Sequence, residues 1–292
     1  MSDKVLLSLL LSCLFVSWKV VIGSASYSVV YNPRRGLADC SQCTCGEVNS
    51  ADFRVVGGNQ SDVSAYPWMA ALFLGDVFTC GGSLINDRYI LTAAHCVIRV
   101  KPEDLDVFLR RPSIAAINPG MVQRKVESIS IAHYQGIRNN NDIALLRLQN
   151  VVPIGSNLIP ICLPDGMDTY QGRQAMVIGW GRTAHGHLSE TLQQLTVPVL
   201  SNQECKRAGY FRFQITNRMM CAGYLEGGQD SCQGDSGGPL QFINPAIGRY
   251  EIIGVVSWGQ SCAQRNYPGV YARVTKFVGW LKSKSRDACW CQ

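Results

Sequence analysis

The chain carries little charge: Asp, Glu, Lys and Arg together make up 16% of its 292 residues. The basic excess, a net +6, is not gathered into a Lys/Arg-dense block. That removes the footprint of a nucleic-acid-binding arm, and no nucleic-acid partner is expected. No unit of fixed period repeats, which argues against solenoids and propellers. No long stretch is polar enough to stay disordered, and the hydrophobic fraction of 47% can supply one large or two ordinary cores. The first apolar run, Val5 to Val16, stops short of the ~20 residues a membrane span needs, because Lys19 interrupts it.

Lys4, that apolar run and the small residues Gly23-Ser24-Ala25 instead form a signal-peptide pattern over residues 1–25. Cleavage is the reading favoured over an uncleaved anchor, so a secreted, extracellular protein without a membrane tether is expected. Thirteen cysteines are present. Cys13 leaves with the signal, and the remaining twelve (13 − 1) are an even number, as an oxidised framework requires. Asn59-Gln60-Ser61 is an N-glycosylation sequon.

Residues 26–54 have neither helical nor strand periodicity. They hold Asn32-Pro33, Arg34-Arg35-Gly36 and the cluster Cys40, Cys43, Cys45. From Val55 short β-rich runs alternate with Gly, Pro and Asn turns, as at Gly82–Ile85, Tyr89–Thr92, Ala144–Leu146, Ala175–Ile178 and Ile252–Val256. Such strands predict an all-β barrel or sandwich. Val274 to Leu281 spaces its apolar residues three and four apart, which predicts one terminal amphipathic helix.

Three short motifs carry chemistry. Gly234-Asp235-Ser236-Gly237-Gly238-Pro239 offers a serine hydroxyl on a backbone that can turn sharply and approach a substrate closely. Thr92-Ala93-Ala94-His95-Cys96 offers an imidazole to take its proton. Asn141-Asp142-Ile143-Ala144-Leu145-Leu146 offers a carboxylate at the head of an apolar strand, a buried place where a charge needs a partner. Alone, each has a plain structural reading: a Gly-rich turn, a satisfied core histidine, a strand-end turn residue. Together they are the parts that acyl transfer by a serine needs: nucleophile, base and orienting carboxylate.

In that order, and with those flanks, the chain resembles the trypsin and chymotrypsin family of serine endopeptidases from Val55 to about Leu281. Further matching motifs are Arg54-Val55-Val56-Gly57-Gly58, Cys80-Gly81-Gly82-Ser83-Leu84, Gly179-Trp180-Gly181, Ser257-Trp258-Gly259 and Pro268-Gly269-Val270-Tyr271. The resemblance implies an all-β fold of two packed six-stranded antiparallel barrels with a C-terminal α-helix. It implies a propeptide over 26–54 and a catalytic domain with a cysteine-containing tail over 55–292. Ser236 would be the nucleophile, His95 the general acid/base and Asp142 its orienter. The N–H groups of Gly234 and Ser236 would form the oxyanion hole. Ser257 would bond near Asp142, and Trp258 and Gly259 would pair with substrate backbone.

Asp230 falls at the position that selects a substrate Arg or Lys, because a neutral side chain there would leave its charge unpaired. Ser231 and Gln233 would also bind substrate, with Gly259 and Gly269 as pocket walls. Cleavage after Arg54 would free the Val55 amino group to pair with Asp235 and order the site. Implied partners are protein substrates with Arg or Lys at the cut, an activating trypsin-like protease and serine protease inhibitors. No cofactor or metal is implied.

The implied bridges are Cys80–Cys96, Cys205–Cys221, Cys232–Cys262 and Cys45–Cys162. Four cysteines are left over: Cys40 and Cys43 before the cut, Cys289 and Cys291 in the tail. Cys289 and Cys291 are separated by one residue, a strained spacing for a mutual bridge. A Cys₄ zinc site is the other arrangement, but an oxidising compartment favours disulfides. Two bridges from propeptide to tail, of open pairing order, are therefore expected.

The chain also departs from the family pattern. Ala175 and Phe242 stand where a familiar bridge would be. No Asp or Glu occurs between Asp106 and Glu127, where many trypsins place a calcium loop. Arg110, Arg111, Arg124 and Lys125 occupy that stretch, and a solvated loop is the simplest reading of them, ahead of an anion site.

Overall fold

Among the described residues, twelve strands form where β-branched and aromatic runs are broken by turn residues. The computed structural model describes residues 43–48, 65–116, 119–155, 157–166, 168–182, 187–211, 213–228, 234–260 and 262–292, all within one unit, Leu37–Gln292. The first six strands are β1 (Met69–Leu74), β2 (Val77–Leu84), β3 (Tyr89–Thr92), β4 (Leu105–Leu109), β5 (Val122–Ile131) and β6 (Ala144–Leu148). They close into an antiparallel barrel in the order β1-β2-β3-β6-β5-β4. The next six are β7 (Gln174–Gly179), β8 (Gln193–Leu200), β9 (Met219–Ala222), β10 (Pro239–Asn244), β11 (Arg249–Trp258) and β12 (Gly269–Arg273). They close in the order β7-β8-β9-β12-β11-β10, the same connectivity in a sequence that shows no repeat. Closure leaves neither sheet an open edge for mispairing.

The barrels meet through buried apolar side chains and a few satisfied polar pairs. Trp68 Nε1 donates to Gln241 Oε1 at 2.9 Å, with both residues fully buried. Tyr66 OH donates to Gln194 Oε1 at 2.8 Å, and the Tyr66, Trp68 and Tyr250 rings pack edge-on or tilted beside it. A buried amide or indole is tolerated at such a junction only when it is hydrogen-bonded.

The two positions lacking the familiar bridge are filled by packing. Ala175 and Phe242 are both buried on neighbouring strands, and the Phe242 ring meets Tyr170 edge-on at 5.3 Å. The terminal segment is helical but broken: a 3₁₀ turn over Val274–Lys276 precedes an α-helix over Val278–Lys284. The apolar spacing survives the break, since Val274, Phe277 and Leu281 all face the core. Among the described residues no helix is long and apolar enough to cross a membrane.

Within the basic stretch, Arg111 departs from the solvated loop expected for it, while Lys125 stays exposed. Arg111 is buried, and Lys125 Nζ pairs with Asp106 Oδ2 at 2.8 Å. Arg111 finds the ring faces of Phe73 and Phe108 on β1 and β4 and main-chain carbonyls of its own loop, and Asp106 lies opposite Lys125 in the β4–β5 ladder.

The residues before the first barrel and the tail are fastened to the barrels at several points. Cys45 bridges Cys162, Gly46 N donates to Pro160 O at 2.8 Å, and Tyr250 N donates to Gly46 O at 2.9 Å. Cys43 bridges Cys291, and Arg249 reaches both Gln292 O at 2.6 Å and Glu47 Oε1 at 3.3 Å. Cys289 is also in a disulfide, and its N–H donates to the buried Asp87 at 2.8 Å. Cys40 lies outside the described residues.

Asp287 anchors the same tail. It accepts from Tyr89 OH at 2.6 Å and from Arg147 Nε and a terminal guanidinium nitrogen at 2.9 and 2.7 Å. Burial opposes its ionisation, but those bonds and the Arg147 charge hold its carboxyl below the usual range. A depressed folded-state pKa contributes stability above the unfolded value, and that stability is lost as pH falls through the folded one. Asp287→Asn is expected to lower Tm by roughly 2 °C at neutral pH, a modest effect because the pair is partly solvent-screened. The gap from the native protein should close in strong acid. Thermal melts at neutral and acid pH check this, and a gap independent of pH would count against it.

Candidate active site

Strand β3 ends at Thr92, and Ala93 caps a four-residue helix, α1 (Ala94–Val97), that carries His95. The His95 side chain is 32% exposed. Asp142 arrives from the other side, just before β6, after Asn141 turns the chain with a φ of 57°. Asp142 is 2% exposed, and its carboxylate is fully engaged. Oδ1 accepts from the His95 main-chain N–H at 2.8 Å, and Oδ2 lies 2.6 Å from His95 Nδ1. Oδ2 also accepts from Ser257 Oγ at 2.5 Å. Three donors offset the desolvation of a buried charge. With a proton on Nδ1 directed at Oδ2, the outer nitrogen Nε2 is left as an acceptor. Burial, and then the Asp142 charge, push the nearby Tyr134 hydroxyl up.

The serine loop is clamped between the two barrels. Gly81 N on β2 donates to Ser236 O at 2.8 Å, and Gly237 N donates to Val256 O on β11 at 2.9 Å. Gly237 has a φ of +79°, and a Cβ there would collide with Thr92 Oγ1 and lie 2.5 Å from Gly81 O. No side chain fits, so the loop closes down on the segment that carries His95. Among the described residues nothing accepts from the N–H of Gly234 or of Ser236. Amides without an acceptor among the described residues are the kind of donor that can receive a developing negative charge.

Asp235 is 9% exposed, and its Oδ1 accepts from Gly181 N at 2.8 Å. A Cβ on Gly181 would meet both carboxylate oxygens, and one on Gly179 would lie 2.9 Å from Asp235 Cγ. The sequence displays Gly179-Trp180-Gly181 as a motif but gives no reason for it. The structure supplies one: both glycines leave room for this carboxylate. The part played by Thr92 beside Gly237 was likewise not apparent from sequence.

A family model for trypsin matches residues 55–281. This chain belongs to the trypsin family. Its curated relatives include human transmembrane protease serine 5, 37% identical over 85% of this chain and 55% of that protein. Stubble, a serine proteinase of Drosophila melanogaster, is 37% identical over 82% of this chain and 32% of its own length. Trypsin of Squalus acanthias is 41% identical over 79% of this chain and 95% of its own. The chain thus spans about half or less of the first two relatives and nearly all of the third.

On this trypsin-family scaffold, Ser257 and Trp258 sit at the end of β11, with Gly259 exposed just beyond. Among the described residues, a Cβ on Gly259 would meet nothing nearer than Tyr210 OH at 4.0 Å. Gly269 is buried and starts β12 against Ala222. The bridges Cys80–Cys96 and Cys205–Cys221 are present, and Cys262 is disulfide-bonded. Arg54, Val55, Asn59, Asp230, Ser231, Cys232 and Gln233 lie outside the described residues. Among the described residues Cys80, His95 and Cys96 bring potential metal ligands within 4.8 Å of one another. The two sulfurs are joined as a disulfide, which leaves no thiolate for an ion.

Proposed function

We propose that this protein is a secreted serine endopeptidase that cleaves after Arg or Lys and is made as a zymogen cut between Arg54 and Val55. The observation that carries the reading is the buried Asp142 carboxylate, which holds His95 by both ring and main chain beside the clamped Ser236 loop. In this reading Ser236 Oγ attacks the scissile carbonyl as His95 Nε2 takes its proton. Asp142 keeps the imidazole in the tautomer that can do so and stabilises the imidazolium. The Gly234 and Ser236 amides receive the oxyanion. His95 then returns the proton to the leaving amine, the acyl-enzyme remains on Ser236, and water releases it by the same steps in reverse.

The rival reading is a binding homologue that keeps the fold without turnover. Labelling of the activated protein by a serine-directed phosphonate separates the two. No label on Ser236 would overturn the enzyme reading.

Specificity rests on Asp230 by resemblance. Asp230→Ser is expected to lower the Arg-to-Phe ratio of kcat/KM by about 10²-fold or more, because a substrate cation would be left unpaired in the pocket. Turnover of the Phe substrate should persist. An unchanged ratio would show that Asp230 is not the selector.

The Cys45–Cys162 and Cys43–Cys291 bridges would keep residues before the cut attached to the activated enzyme. In this reading Cys40 would pair with Cys289. Peptide mapping without reductant tests this, and a propeptide released without reductant would refute it.

A further inference from the structure

Arg111 is a buried cation that the reaction scheme leaves without a task. It is 6% exposed, and among the described residues no carboxylate pairs with it. Its guanidinium lies 4.2 Å from the Phe73 ring centroid and 4.7 Å from that of Phe108. Nε donates to Ser113 O and a terminal nitrogen to Ile114 O, both at 3.0 Å. A cation buried without a counter-ion is costly; among the described residues these carbonyls, the ring faces and the Met121 sulfur, 4.0 Å from a terminal nitrogen, compensate. Residues 111–116 are thus folded around the charge.

The other side of that loop holds a second segment. Ser113 pairs with Thr191 in an antiparallel bridge, and Ile114 N donates to Glu190 O at 3.0 Å. The segment from Leu188 to Thr191 turns back on Gly181, whose carbonyl accepts from Ser189 N at 3.2 Å. Leu188 lies directly against Gly234: a Cβ built on that glycine would come within 2.5 Å of Leu188 Cδ2. Gly181 also donates its own N–H to Asp235, next to Ser236. A continuous set of contacts therefore runs from Arg111, through Ser113 and Ile114 to Glu190 and Thr191, and through Leu188 to Gly234.

We propose that Arg111 is a positioning residue that sets the Gly234 amide for the oxyanion by holding the Leu188–Thr191 segment against it. The inference rests on reading Gly234 as an oxyanion donor. Arg111 touches no reacting atom. Without its hydrogen bonds, residues 111–116 would lose their centre, Leu188 would withdraw, and Gly234 would be free to shift. Stabilisation of the transition state would fall, while the pocket for the substrate side chain would be spared.

The test is Arg111→Met, which keeps an apolar stem on Phe73 and Phe108 but removes the donors. Four quantities are measured on the activated protein: kcat and KM for an Arg substrate, affinity for a peptide aldehyde, and affinity for benzamidine. The hemiacetal oxygen of the aldehyde occupies the oxyanion position, whereas benzamidine fills only the side-chain pocket. Aldehyde affinity and kcat should fall about tenfold, less than the outright loss of an oxyanion donor costs. KM and benzamidine affinity should hold. Leu188→Ala should give the same split from the other end of the path. If Arg111→Met does not fold, Arg111→Lys, with the stem and charge kept but the fork lost, should show the split at smaller size. Equal changes for both ligands, or an unchanged aldehyde affinity in Leu188→Ala, would overturn the inference alone. An inactive, unlabelled native enzyme would overturn the active-site reading and this inference with it.

Discussion

Ser236→Ala is expected to abolish peptide hydrolysis, with kcat lowered by about 10⁶, while the protein folds and binds ligands normally. The size of the loss follows from what is removed. In the proposed mechanism the hydroxyl oxygen forms the acyl bond, to a carbonyl held by the Gly234 and Ser236 amides. The fold should be indifferent to it. The loop is clamped by main-chain bonds, Gly81 N to Ser236 O and Gly237 N to Val256 O, and by the fit of Gly237 against Thr92. Alanine keeps all of these. His95 and Asp142 also keep their mutual bonds, none of which passes through Ser236. The native and variant proteins should therefore melt alike and bind benzamidine alike. The measurement is turnover of an Arg substrate by the activated variant, freed of native contaminant. Residual activity above about 10⁻³ of native would show that Ser236 is not the nucleophile.

The parts of the site that were legible in the sequence are those whose chemistry is local. His95, Asp142 and Ser236 each sit in a few residues of distinctive texture. Asp142 could be placed in a buried position from the apolar run behind it, and its exposure is 2%. Strands could be read from short β-rich runs, but closure could not. It depends on β1 meeting β4 and β7 meeting β10, pairings that alternation along one strand does not encode. Family resemblance supplied the two barrels.

Arg111 shows the limit most clearly. In sequence it is one of four basic residues near a turn. Its burial is decided by Phe73, 38 positions earlier, and by carbonyls whose direction depends on the loop conformation. Gly179 and Gly181 were visible as a motif, but their purpose, room for the Asp235 carboxylate, is a contact across more than fifty residues.

Arg54→Gln is expected to give a protein that trypsin-like activators cannot switch on. In the proposed mechanism, the cut after Arg54 frees the Val55 amino group, which carries a charge to Asp235. Asp235 stands beside the nucleophile, almost wholly buried, in a space that Gly179 and Gly181 leave clear. A carboxylate in such a place gains most from a cationic partner, and breaking a buried pair by withholding one partner costs about 3–5 kcal/mol. That energy corresponds to a shift on the order of 10²–10⁴ away from the competent arrangement. The uncut variant should fall short of the activated native enzyme by that factor in kcat/KM, although every residue of the site is present. The native enzyme offers an independent check. Its activity should decline at alkaline pH: pairing with Asp235 raises the α-amino pKa above its free value of about 8, and the pair loses its charge as pH rises through that raised value. Chain cleavage is followed by gel and amino-terminal sequencing, and activity by an Arg substrate. A variant that remains uncut yet matches the activated native enzyme would refute the switch. A native enzyme that keeps full activity well above that pH would show that the amino group is not what holds Asp235 in place.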